Sequence, residues 1–259
     1  MNILSMGDRV RPGAYVVRAR FARSALLIGK PDRALFIVNR SIGAGPLNLV
    51  VDDFREVSSG ESLAIPRRCN VPRFDSAMPR LRRAGRDELL RVLESALPRH
   101  APRGSLVSLF VPVHRLPRML RARDALFRAA FAHFAAGRLP AGIRLIRGCG
   151  EGLTPSGDDF LCGWMLACRL RGTPALAKTM LKHALGRNPV SNAFLKTSAD
   201  GRVNVAVQRL LESPASARVK AACAFGHSSG ADLLCGLRYG LASPRRFRGE
   251  TAHGNRCAS

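Results

Sequence analysis

A stretch written twice constrains this chain more than any other feature. Ser156-Gly157-Asp158-Asp159-Phe160-Leu161-Cys162-Gly163 returns seventy-three residues later as Ser229-Gly230-Ala231-Asp232-Leu233-Leu234-Cys235-Gly236, changed at only two positions. Each copy sets a serine three residues before an aspartate and then enters an apolar run, the sequence sign of a helix N-terminus. The spacing predicts that the Ser156 or Ser229 hydroxyl caps the N–H of Asp159 or Asp232, while the carboxylate offsets the positive helix end. Residues 160–168 are apolar or glycine without a break, so the first of these helices is expected to be buried on every side. A carboxylate at a buried helix start needs donors, a metal or a ligand. One of the adjacent pair can serve the cap, which leaves Asp158 in want of a partner. Plain capping competes with a functional reading of either copy alone, and the duplication favours a functional cluster.

The loops ahead of the two helices add donors. Gly148, Gly150 and Gly152 alternate with other residues before Thr154 and Pro155, and glycine at every second position frees backbone N–H groups to face a ligand. A glycine loop feeding a helix start suits an anion. The second loop reads Gly226-His227-Ser228-Ser229, and superposing the repeats aligns His227 with Thr154. A histidine just outside a helix start is either a proton carrier or a donor to a carbonyl. Gly163 and Ala167 in one helix, and Gly236 and Gly240 in the other, are small residues four apart that let helix backbones meet. The two helices are therefore expected to cross near Gly163 and Gly236 and to bring both loops to one pocket.

The rest of the chain divides by periodicity into an α+β protein, a β-rich domain followed by a mainly α-helical one. Over residues 14–65, short β-prone runs alternate with turns at 29–32 and 43–46. The turn Gly45-Pro46-Leu47-Asn48 is either a plain loop or a second wall of the site. Residues 66–79, with Pro66, Pro72 and Pro79, read as a linker, so the β-rich domain with its linker is placed at 1–79. The helical domain with its glycine-rich loops follows at 80–243 and a polar, flexible tail at 244–259. Helical spacing is clear at 87–97, 117–136, 174–185, 203–211 and 215–224, residues 106–113 suit a short strand or a buried approach to a helix, and 191–198 are weakly determined. His133 reads as a packed histidine.

Composition excludes more than it assigns. With 46% hydrophobic residues the chain is globular, and the apolar run from Phe160 stops at Arg169, well short of a membrane span. The first nine residues lack a basic region followed by an apolar one, so a secretory signal is not expected and the cytoplasm is. Seven cysteines without a C-x-x-C pair make a disulfide frame or a zinc site by Cys162 and Cys235 improbable, and no metal or cofactor is expected. The net charge of +24 invites a nucleic-acid reading. Only five of the 42 basic residues are lysine, and the arginines are dispersed with no interleaved aromatic platform. Nucleic acid is thus disfavoured against a small anionic substrate or an acidic partner.

The stretches 150–163 and 226–236 resemble the AllH-like family, named for a subunit of oxamate carbamoyltransferase in anaerobic allantoin breakdown. The likeness extends more weakly to Gly45-Pro46-Leu47-Asn48. It implies a hetero-oligomer with FdrA-like (AllF) and AllG-like subunits, and a reaction that moves a carbamoyl group between oxalurate or oxamate and phosphate or carbamoyl phosphate. On that resemblance the ligand-binding residues are Gly150, Gly152, Thr154, Ser156, Gly157, Ser228, Ser229 and Gly230, with Gly45 and Asn48 from the β-rich part. His227 would shuttle a proton, Asp158 or Asp159 would hold the carbamoyl nitrogen, and Asp232 is the matching acid of the second copy. A non-catalytic structural subunit of the same complex, and a basic nucleic-acid-binding protein, remain the alternatives.

Overall fold

A computed structural model describes residues 2–53, 57–67, 70–112 and 115–243. Cys69, Cys257, Val113 and the tail proposed at 244–259 lie outside the described residues. The chain is α+β, a strand-rich N-terminal sheet followed by a helical region. The strands are β1 (Ile3–Gly7), β2 (Gly13–Arg20), β3 (Ser24–Gly29), β4 (Arg33–Asn39), β5 (Asn48–Val51), β6 (Ser62–Ile65) and β7 (Arg73–Phe74). They form one sheet in the order β6-β2-β3-β4-β5-β1-β7, with β4–β5 and β1–β7 parallel and the other pairs antiparallel.

Strand alternation sorts the sheet's side chains. Ala25 and Leu27 of β3, with Leu35 and Ile37 of β4, fall on a face that also buries Met6, Tyr15, Leu49 and Ile65. Leu26, Ile28, Ala34 and Phe36 turn the other way and meet a helix through Val190 and Phe194, the Phe36 and Phe194 rings lying 5.6 Å apart. The stretch 73–78, inside the expected linker, is docked: Val203 N–H donates to the Ser76 carbonyl at 2.8 Å and Met78 N–H to that of Gly201 at 3.0 Å. Arg202 ties the same seam by ion pairs to Asp8 at 2.6 Å and Asp75 at 3.0 Å.

The helices are α1 (Arg83–His100), α2 (Arg118–Ala135), α3 (Leu139–Ile146), α4 (Ser156–Leu170), α5 (Pro174–Ala184), α6 (Pro189–Ala199), α7 (Val205–Glu212), α8 (Ser216–Cys223) and α9 (Ser229–Ala242). Residues 106–109, left between strand and approach, make a turn of 3₁₀ helix opened by Ser105, whose hydroxyl accepts from Val107 N–H. The weakly determined 191–198 form α6. Asn188 caps it by accepting from Val190 and Ser191, and Pro189 occupies the first turn, where a missing N–H costs nothing.

Helix α4 is the axis of the helical layer, with every residue except Arg169 buried. Each of Phe160, Leu161, Met165 and Leu166 withdrawn from water contributes roughly 1.5–3 kcal/mol. Its longest contact is with α9, and that contact is possible only because glycine stands at the crossing. A Cβ at Gly163 would lie 1.8 Å from the Leu233 carbonyl oxygen, and one at Gly236 would lie 1.9 Å from that of Phe160. The two contacts are the same contact exchanged between the repeats.

Candidate functional site between two helix tips

The preceding helices make the repeat longer in space than in sequence. A Cβ at Gly157 would sit 1.7 Å from the Ile146 oxygen at the end of α3, and one at Gly230 2.0 Å from the Ala222 oxygen near the end of α8. Gly157 N–H donates to the Cys149 carbonyl at 2.8 Å and Gly230 N–H to that of Phe225 at 3.0 Å. The repeated unit is therefore a helix, a turn and a helix: α3 into α4, and α8 into α9. The donor reaches eight residues back in the first copy and five in the second, so the first turn is longer by three residues.

The serines do not cap their helices. Ser156 and Ser229 are the first residues of α4 and α9, Pro155 and Ser228 stand at the cap positions, and no side chain caps either end. The Pro155 carbonyl takes the N–H groups of Asp158 and Asp159, and the Ser228 carbonyl takes that of Asp232. Starting one residue earlier than the spacing implied leaves both hydroxyls free to face across the gap. Thr154 Oγ1 and Ser229 Oγ lie 3.0 Å apart, joining the tip of one copy to the tip of the other.

The three aspartates divide their work. Asp158, expected to lack a partner, accepts from Gly148 N–H at 2.7 Å and so braces its own loop. Asp159 keeps the orphan instead, its Oδ2 being buried with no hydrogen-bond partner at a residue 6% exposed. Asp232 is 0% exposed and accepts from Leu106 N–H at 2.6 Å through Oδ1, while its Oδ2 is also unpartnered. Burial pushes the Asp159 carboxyl well above its ordinary 3.8, the neighbouring Asp232 adding to the shift and the Ser229 and Thr154 hydroxyls opposing it. Burial raises Asp232 too, against the Leu106 N–H and the hydroxyls of Ser156 and Ser228, and it raises Asp158 against the Gly148 N–H. Each copy's aspartate is thus eased by a serine of the other copy.

A buried network that sequence reading missed holds Leu106 in place. Arg123 donates to Asp124 Oδ1 at 2.9 Å and to the carbonyls of Gly104 at 2.6 Å and Ser105 at 3.0 Å, and Ser108 Oγ donates to Asp124 Oδ2 at 2.6 Å. Reading the arginines as dispersed, with none assigned to the core, hid it. The signal was there: Arg123 and Asp124 stand one turn before Phe127 on the face that buries Ala130 and Phe134.

The tips open on a cleft of about 1630 Å³. Gly150, Gly152, Thr154, Ser156 and Asp159 line it from the first copy, His227, Ser228, Ser229 and Gly230 from the second, and Gly45 and Asn48 from the sheet. Gly157, Asp158 and Asp232 lie behind that lining. Among the described residues, the N–H groups of Gly150, Gly152 and Ser156 meet no protein acceptor. Gly148, Gly150 and Gly152 all have positive φ, at 68°, 120° and 90°, so the alternating glycines are what lets this loop curl. Cys149 and Cys162 also reach the cleft, and burial pushes both thiols up, away from the nucleophilic thiolate. Among the described residues there is no group of three metal-ligating side chains, and no helix is long and apolar enough to cross a membrane.

Residues 146–241 match the family model described as oxamate carbamoyltransferase subunit AllH. This part of the chain is AllH-like. No curated protein and no solved structure matches the chain. The AllH-like region begins at the last residue of α3 and ends within α9, so it holds both tips and their crossing, while Gly45, Asn48 and the Arg123 network come from outside it.

Proposed function

We propose that this chain is the AllH-type subunit of an oxamate carbamoyltransferase-like complex, and that the cleft takes a small anionic, carbamoyl-bearing molecule between the two helix tips. The observation that carries the reading is the buried, unpartnered Oδ2 of Asp159, a residue that lines the cleft together with Thr154 and Ser229, whose hydroxyls are joined. A carbamoyl NH₂ offers the hydrogen that this oxygen lacks. The N–H groups of Gly150, Gly152 and Ser156, with two positive helix ends behind them, suit the anionic part of the same molecule. An ionised carboxylate beside an anion would be repulsive, and burial lessens that conflict by favouring the neutral acid, which still accepts from the NH₂ through its carbonyl oxygen.

In such a transfer a phosphate oxygen attacks the carbamoyl carbon, the bond from that carbon to the oxamate nitrogen breaks, and the departing nitrogen takes up a proton. His227, which lies on the shorter turn and lines the cleft, is the group we propose to carry that proton. Asp158 and Asp232 act from behind, Asp158 by bracing the glycine loop and Asp232 by sitting against Asp159. FdrA-like and AllG-like subunits are the expected partners, in the cytoplasm.

Calorimetric titration of the purified chain, alone and with its partner subunits, tests this with oxalurate, oxamate, carbamoyl phosphate and phosphate. We expect at least one of them to bind, and Asp159→Asn to weaken it tenfold or more with the fold intact. Binding of none of the four, or binding indifferent to Asp159, would overturn the reading.

A further inference from the structure

The cleft is far larger than the molecule proposed for it. Pockets for drug-sized ligands run to roughly 300–1,000 Å³ and cover most of the ligand's surface. A carbamoyl-bearing acid is smaller than such ligands, yet the cleft measures about 1630 Å³. Most of that space is therefore left when the inner site is full, and water would reach the reacting groups through it.

The outer walls have a composition of their own. Four large apolar side chains stand out as exposed among the described residues, Phe21 at 43%, Met119 at 66%, Leu126 at 43% and Leu153 at 36%, and all four line this cleft. They come from the β2–β3 turn, from α2 and from the glycine loop, three separate elements of the lining. Scattered exposed apolar residues need no explanation, but a set confined to one rim does. Around them stand Arg23, Arg40, Arg209 and Arg218, and among the described residues none of these is paired with a carboxylate. The acids in the lining are Glu151 and Asp159, the latter deep inside.

We infer that the outer cleft receives an acidic polypeptide segment carrying apolar side chains, contributed by another subunit, which fills the mouth and shuts water out of the inner site. The inference rests on reading the chain as one subunit of a complex. Charge selects the occupant. A second copy of this chain would bring a net charge of +24 to an already basic rim, and residues 244–259 bring four arginines against one glutamate. Both are repelled where an acidic segment is attracted.

The test uses the full chain co-expressed with its FdrA-like and AllG-like subunits. Met119→Glu with Leu126→Glu replaces two exposed side chains, so unfolding temperature should hold while retention of the partners falls tenfold or more. In the wild-type complex, amide exchange over 118–126 and 150–154 should slow against the isolated chain, and added salt should weaken the association. Full assembly of the double variant, or unchanged exchange at both stretches, overturns the inference and leaves the subunit reading standing. Wild-type chain that joins neither subunit overturns both.

Discussion

The two tips are built alike and used differently. The first has the longer turn, three glycines at positive φ and an aspartate, Asp159, that lines the cleft and has one oxygen without a hydrogen-bond partner. The second has the shorter turn and an aspartate sealed at 0% exposure against Leu106, itself fixed by the Arg123–Asp124 pair. Both tips line the cleft, but the aspartate of the longer turn is part of that lining and the aspartate of the shorter one is not. The repeat supplies the crossing and the paired carboxyls, and the turns are where its copies differ.

The largest effect should come from the crossing that both copies share. Gly163→Ala and Gly236→Ala each push a Cβ to within 2 Å of a carbonyl oxygen of the other helix, where no side chain can yield. Overpacking of this kind costs about 1–3 kcal/mol where neighbours can move, and backbone against backbone should exceed that range. Urea denaturation should show each variant to be more than ~3 kcal/mol less stable, or unfolded. Two variants of nearly wild-type stability would mean that the helices do not meet here.

A smaller effect separates the tips. Asp232→Ala strands the buried Leu106 N–H, which costs about 1–3 kcal/mol and is partly offset by release of a buried carboxyl. Asp159→Asn keeps one oxygen to accept from the Ser229 and Thr154 hydroxyls and alters the side where Oδ2 has no partner, so its larger cost should fall on ligand binding. The pH dependence sharpens the contrast. Asp159 is raised above its ordinary 3.8 by burial, so between 3.8 and its raised value the folded state holds a proton that the unfolded state has lost. Its contribution to stability is full below 3.8 and falls as pH rises through that window. Asp159→Asn should flatten the fall in unfolding temperature with rising pH without abolishing it, since Asp158 and Asp232 are shifted the same way. An unchanged slope would show that Asp159 is not held out of water.

How much of this was legible follows from where the information lies. Local patterns carry the strands at 13–20, 24–29 and 33–39 and the helices α1, α2, α5, α7 and α8, because alternation and 3.6-residue spacing are properties of the segment itself. The crossing was legible for a similar reason: small residues four apart say that something comes close. Strands β1 and β7 were missed, since β7 is two residues long and exists only by pairing with β1. The exchange of roles between Asp158 and Asp159 turned on a helix starting one residue early at Pro155, a difference no spacing rule resolves. Arg123 was misread because a buried arginine and a solvated one look alike until Asp124, Gly104 and Ser105 are brought to it by the fold.

The smallest prediction concerns the link between the tips. Thr154 and Ser229 come from different copies, seventy-five residues apart, and their hydroxyls meet at 3.0 Å beside the unpartnered oxygen of Asp159. A hydrogen bond between neutral groups contributes about 1 kcal/mol net, so Thr154→Val or Ser229→Ala alone should lower stability by about that much. Removing the second partner once the first is gone should cost less, and the double-mutant cycle should return a coupling of about 0.5–1 kcal/mol. Repeating the cycle with saturating carbamoyl phosphate shows whether the link belongs to the scaffold or to the site. A ligand seated on these hydroxyls competes for the same hydrogens, so the coupling should shrink when it is bound. Coupling that persists unchanged would make the bond a strut between two tips, with the ligand held elsewhere in the cleft.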